Sequence, residues 1–313
     1  MFLWKAGNFN MVNLERLLNY DFNYFKGKAD FELAEKYFEI KEYDVAMKLY
    51  KKSLYHYFPT GARTNRTDSV LSNKEWMEQG DREIVKAFVA RKKEIENTAK
   101  VIEDRFRFLV NENIVEAYVG LADLIYVLAI RKKYNELITQ NNGFVYYQVG
   151  DVIEEAFRQN KYVEAANEVF KEKISLYEQA AAKNSIEALM FLGYFYKDRN
   201  LNKVAQEYFE KAVNLGCGSA AYAIAEMLDK DFYLIASSGF EHFELTEEEK
   251  QVVAEAVSWL LKAARLGHKL AMYVVVHCYR FGVAVEKDEK LAEWWSQIEE
   301  ICNSALDEYK RTI

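Results

Sequence analysis

Catalysis needs an acid, a base or a nucleophile converging on one point, or a loop that holds a cofactor. Four histidines (His56, His242, His268 and His277) and three cysteines (Cys217, Cys278 and Cys302) are the residues to test first. His277 and Cys278 are adjacent, but in a helix neighbours point to different faces, and the other histidines are scattered. The odd number of cysteines, with no short paired spacing, argues against a disulfide framework and reads as buried thiols. No GxGxxG, Walker loop, HExxH, GxSxG or CxxC occurs. The expectation is a protein that is not an enzyme, with no cofactor and no metal. Arg63, Arg66, Arg91, Lys92 and Lys93 form a basic cluster with few aromatics between them for base stacking, so it reads as a solvated helix face and no nucleic-acid partner is expected.

The elements that would carry any binding chemistry are helices. In 313 residues there is one proline, Pro59, and 13 glycines, while half the chain is hydrophobic and 15% aromatic. That is enough for a packed core in one large domain or two smaller ones, and it places the chain in the all-α class. The longest apolar runs, such as "LADLIYVLAI" and "YVVVHCY", fall well short of the roughly twenty residues of a membrane span. The start, "MFLWKAGNFNMVNLERLL", lacks the layout of a secretion signal, so a cytoplasmic protein is expected, without membrane contact. Charge is uneven: residues 1–112 carry 20 Lys and Arg against 18 Asp and Glu, and residues 113–313 carry 22 against 31, a net of −9. This larger part should attract basic partners.

A repeat organises the helices. "WLLKAARLGHKLA" (259–271) aligns without a gap on "YFEKAVNLGCGSA" (208–220), pairing Trp259 with Tyr208, Lys262 with Lys211, Ala263 with Ala212, Gly267 with Gly216 and Ala271 with Ala220. A weaker copy, "LYEQAAAKNSIEA" (176–188), keeps Ala180 and Ala188 and has Asn184 where the glycine sits, as expected if that position is left-handed. Ala29, Leu33, Ala34, Tyr37 and Ala46 repeat the pattern near the N-terminus, and Ala117, Leu121 and Ala122 start it again. From Trp259 to its equivalent Trp295 is 36 residues. Such a period, with two helices per unit, marks an α-solenoid in which small residues let helices approach and aromatics fill the gaps between pairs.

Together with "AVSWLLKAARLGHKLA", the stretch "GVAVEKDEKLAEWW" (282–295), with Gly282, Val285, Asp288, Ala292 and Trp295 in their spacing, resembles the Sel-one-like variety of tetratricopeptide repeat. The resemblance covers about 185–300 well and 27–57 fairly. It implies a right-handed superhelical solenoid of antiparallel helix pairs, and proteins that act as adaptors. It also implies that the first helix of each pair lines a concave groove. Here that groove would present Glu187, Met190, Tyr194 and Lys197, then Ser219, Tyr222, Glu226 and Asp229, then Leu270, Tyr273, His277 and Arg280, with Phe31, Glu35, Val119 and Asp123 toward the N-terminus. Tyrosine suits an interface because it joins apolar area to a polar tip with few rotatable bonds. As surface or core filler, the same tyrosines need no partner.

The pattern predicts four segments. Residues 1–57 hold the N-terminal helices and first repeat. An insertion at 58–112 is a basic loop plus a long helix over about 82–109, with Ile84, Phe88, Ile95, Val101 and Phe108 on its apolar stripe. Divergent helical repeats fill 113–184. Sel-one-like repeats fill 185–313, interrupted at about 229–250 by a stretch holding Phe232, Tyr233, Phe240, Phe243 and Glu247–Glu249. There Thr246 reads as a helix N-cap, with a partner-gripping loop as the alternative. The functional expectation is a non-catalytic adaptor binding a protein or peptide, for which the negative charge favours a basic one, in an acidic, tyrosine-bearing groove. The alternatives are an immunity or antitoxin protein that neutralises a basic toxin and a helical-repeat nucleic-acid binder. The oligomeric state is left open.

Overall fold

The computed structural model describes residues 11–57, 82–140, 163–232, 234–235 and 245–312. The described elements are all helical: α1 (Met11–Glu39), α2 (Tyr43–Tyr57), α3 (Arg82–Asn111), α4 (Val115–Gln140), α5 (Val163–Ala182), α6 (Ile186–Lys197), α7 (Asn202–Asn214), α8 (Gly218–Leu228), α9 (Glu247–Arg265), α10 (Lys269–Phe281) and α11 (Glu289–Thr312), with a 3-10 turn at Lys230–Phe232. They form two compact units, Met1–Leu176 and Tyr177–Ile313. The fold is an all-α array of antiparallel helix hairpins. No described helix is long and apolar enough to cross a membrane.

One device ends seven of these helices. Lys41, Asn113, Asn184, Asn200, Gly216, Gly267 and Gly282 all have positive φ, between 59° and 89°. The residue after each donates its backbone N–H to the carbonyl five positions back: Glu42 to Tyr37, Ile114 to Leu109, Ser185 to Ala180, Leu201 to Tyr196, Cys217 to Ala212, His268 to Ala263 and Val283 to Cys278, all at 2.9–3.0 Å. This is the Schellman closure, which satisfies carbonyls that the helix end leaves open. Asn184 does what Gly216 and Gly267 do in the aligned copies.

In the second unit the aligned small residues are the closest packed. Ala188, Ala205, Ala212, Ala220, Ala256, Ala263 and Ala271 are fully buried. Gly193 on α6 lies against Phe209 on α7, so closely that an added Cβ would sit 2.3 Å from the ring. The equivalent buried positions of the other copies are Tyr177 and Leu260. Tyr208 and Trp259, expected to fill the gap between pairs, are only half-buried. Tyr208 stacks on Tyr196, with centroids 5.5 Å apart, while Lys211 lies 5.3 Å over Tyr208 and Lys262 lies 4.9 Å over Trp259. The paired aromatic and lysine are therefore a cation–π couple one helical turn apart, and the neighbouring residue does the filling.

The first unit pairs α1 with α2 and α3 with α4. Ala34 and Ala46 are buried as aligned, but Leu33 is 42% exposed and Ala29 is exposed. The inward line of α1 instead runs through Tyr24, Gly27 and Ala34, because Gly27 must admit the Tyr57 ring, 2.7 Å from where a Cβ would stand. On α3, Ile95 is buried as expected, whereas Val101 and Phe108 lie on the exposed side. The inward face there is Ile95, Ala99, Ile102, Phe106 and Leu109, with Phe106 filling the space above Gly120 of α4. Residues 58–81, Phe240 and Phe243 lie outside the described residues.

Candidate functional site

The first helices of the three hairpins in the second unit are short, 12, 11 and 13 residues, and two of them start on a side-chain cap. Ser185 Oγ accepts the Ala188 N–H at the start of α6, and His268 Nδ1 accepts the Ala271 N–H at the start of α10, both at 3.3 Å. These caps fix where α6 and α10 begin, whereas Cys217 at the start of α8 makes no side-chain cap.

On α6, Glu187 is exposed, Met190 and Lys197 are half-buried, and Tyr194 is 41% exposed. Tyr194 rests edge-on against Phe209, with centroids 5.2 Å apart, and Lys197 lies 5.8 Å above its ring. Lys197 Nζ also reaches Glu226 Oε2 on α8 at 2.5 Å. Burial, then the Glu226 charge, raises the pKa of the Tyr194 hydroxyl, which keeps it a neutral donor. Tyr222 packs against His268 at 4.3 Å and Phe232 at 5.2 Å. On α10, Leu270 and Tyr273 are 56% and 66% exposed. His277 lies 4.6 Å from Phe281 with its Nε2 buried and unbonded, and burial followed by the Arg280 charge lowers its pKa. Arg280 is exposed and bonds Glu289 at 3.3 Å.

Other residues expected on the groove are used inside the fold. Asp229 is 2% exposed, and its carboxylate accepts the N–H groups of Leu234 at 3.0 Å and Ile235 at 2.9 Å, holding the chain after the 3-10 turn. In the first unit, Val119 is fully buried and Phe31 packs 6.2 Å from Tyr50. Glu35 accepts Nε and Nη2 of Arg105 at 3.2 and 2.8 Å, and Tyr50 donates to it as well. Burial would raise the Glu35 carboxyl, but these bonds outweigh it and hold it low. Asp123 pairs with Lys173 at 3.1 Å.

Thr246 is an N-cap. It accepts the Glu249 N–H at 3.2 Å while Glu249 accepts the Thr246 N–H at 2.8 Å, a reciprocal capping box at the start of α9. Of the cysteines, Cys278 is buried and its thiol is pushed up to about 12 by that burial, while Cys217 and Cys302 are half-buried. Among the described residues no group of three or more His, Cys, Asp or Glu side chains is placed to hold a metal ion. The sequence alone did not place Phe232, expected in the 229–250 stretch, or His268, expected as a scattered histidine, beside Tyr222. The signal available for His268 was its place immediately after the turn glycine, where a side-chain acceptor caps the next helix.

No model of a known protein family matches the chain, and no curated protein matches it. Among solved structures it is similar to a Sel1 repeat protein from Oxalobacter formigenes, with 14% identity and a TM-score of 0.38, over 86% of this chain and 83% of that one. It is also similar to a protective antigen present in uropathogenic Escherichia coli strains that displays an SLR fold, with 19% identity and a TM-score of 0.26. That match spans 87% of this chain and about half, 53%, of the other.

Proposed function

We propose that the protein is a non-catalytic binding module whose second unit holds a partner polypeptide, one with a basic surface, on the outward faces of α6, α8 and α10. The observation that carries this reading is the alignment of Tyr194, Lys197, Glu226 and Tyr222 across two successive hairpins, with Tyr273 open on the third. Tyr194 is propped by Phe209 and Tyr222 by His268, so both rings are ordered before any partner arrives. Ordered aromatics lose little entropy on binding, which suits them as anchors. The net charge of −9 on residues 113–313 supports a basic partner, drawn in by long-range attraction. Glu187, Met190, His277 and Arg280 flank the tyrosines. Asp229, Glu35 and Phe31, committed to internal contacts, are left out of the proposed surface.

The test replaces Tyr194, Tyr222 and Tyr273 together by Ala and measures retention of a stoichiometric partner captured from the native cells at low and high salt. The expected result is at least tenfold weaker retention, salt sensitivity in the parent protein, and an unchanged helical circular dichroism spectrum. Equal retention by the variant would sink the reading.

A further inference from the structure

The last hairpin contains a cleft separate from the tyrosine face. It is an open depression of about 480 Å³ where α10 and α11 meet the C-terminal end of α9, large enough to seat a single side chain. Met272 and Trp295, 3% and 6% exposed, form its floor. Leu291, Trp294 and Ile298 line it from α11, and Trp294 is 49% exposed although its ring packs edge-on against Trp295 at 4.9 Å. Arg265 also lines the cleft, is exposed, and has no hydrogen-bond or ion-pair partner among the described residues.

The internal repeat shows that the fold does not demand these residues. In the register that pairs Trp259 with Trp295, the positions of Leu291, Trp294 and Ile298 are held on α9 by Glu255, Ser258 and Lys262, all exposed. On α7 the same positions hold Val204, Glu207 and Lys211, so an apolar residue recurs at the place of Leu291, while nothing in hairpin closure calls for the exposed Trp294. In the register that pairs Tyr208 with Trp259, Arg265 stands where the preceding copy has Asn214. Both changes fall on one cleft: an exposed tryptophan has appeared with an isoleucine one turn on, and a cation has appeared beside them.

We propose that this cleft binds an extended segment of another protein that seats one aromatic or branched apolar side chain against Trp294 and Met272 and places the carboxylate of an adjacent Asp or Glu on Arg265. Charge complementarity selects the carboxylate, because an unpaired guanidinium prefers a carboxylate in bidentate geometry. The surrounding negative charge limits the match to a single, positioned carboxylate rather than an acidic tract. Trp294 provides the anchor, since large half-exposed aromatics over a buried floor dominate such contacts.

The probe is the peptide acetyl-Gly-Leu-Phe-Asp-Gly-amide, titrated into the full chain labelled with nitrogen-15 while the tryptophan indole N–H signals are followed. Saturable shifts at the Trp294 and Trp295 indoles are expected, with at least tenfold weaker binding of the peptide carrying Asn in place of Asp. Arg265→Gln should erase that difference, and Trp294→Ser, which installs the residue of the preceding repeat, should abolish the shifts while leaving the remaining spectrum in place. If Trp294→Ser unfolds the hairpin, Arg265→Gln alone decides, because its side chain is exposed. Absence of saturable shifts, equal binding of the Asn peptide, or indole shifts driven by the protein's own concentration, marking a second copy as the occupant, would each overturn the proposal.

Discussion

His268 links folding to the candidate surface through a single imidazole. Its Nδ1 caps α10 by accepting the Ala271 N–H, and its ring supports Tyr222. The capping role requires the neutral form, since a protonated nitrogen cannot accept and a cation is disfavoured at the positive end of a helix. Burial lowers the His268 pKa below its ordinary 6.5. The unfolded chain therefore takes up the proton first, and the stability present above about pH 6.5 is lost as pH falls through the lower folded value. His277 and His56 are lowered as well, burial being the leading cause at each, and add to the same trend. Thermal unfolding measured between pH 7.5 and 5 should show a melting temperature that declines across this window. His268→Asn keeps a capping acceptor without a titrating group, so its decline should be visibly shallower. An identical slope would mean that His268 takes up its proton equally in the folded and the unfolded chain and contributes nothing to the decline.

At the scale of elements, the turns decide where each helix stops, and they separate what spacing reveals from what it hides. Gly216, Gly267 and Asn184 were readable as left-handed positions because three aligned copies placed them in the same column. Their φ values of 89°, 85° and 65° agree. An added Cβ at Gly267 meets nothing within 4 Å, so Gly267→Ala tests backbone strain alone. It should cost about 1–2 kcal/mol in chemical denaturation, the price of the left-handed region for an L-residue. Asn184→Gly should change stability by no more than about 0.5 kcal/mol, because Asn already tolerates that region. Equal costs at the two positions would mean that the closure, not the residue in it, sets the energy. Helix faces were less legible. Leu33 aligns with the buried Leu192 yet is 42% exposed, because Gly27 and Tyr57 rotate the inward line of α1. The docking of α3 on the first hairpin, through Arg105 on Glu35 and Lys28 on Glu94 at 2.8 Å, joins residues far apart in sequence and leaves no periodic trace.

For the molecule as a whole, a count of residues was enough to show the uneven charge, and the repeats were enough to show helix hairpins. Neither could show which tyrosines stand free. Tyr194, Tyr222 and Tyr273 occupy related places on three helices, yet only contacts from other elements leave Tyr273 open and set Tyr222 between His268 and Phe232. The repeat organisation has a mechanical consequence inside the second unit. Each helix packs chiefly on its chain neighbours, α6 on α7, α7 on α8, α8 on α9, α9 on α10 and α10 on α11. Stability in such an array is a sum of hairpin terms and nearest-neighbour interfaces, so damage should spread by steps. Leu192 is fully buried on α6, and Leu192→Ala should cost about 2–5 kcal/mol locally. Native-state amide exchange should then accelerate most in α6 and α7, less in α8, and least in α10 and α11. The tyrosine face would loosen at Tyr194 while Tyr273 and the cleft beneath Trp294 keep their geometry, so the two proposed surfaces could be disabled separately. Uniform acceleration from α6 to α11 would instead define the second unit as one cooperative block, in which a partner bound at either surface stabilises both.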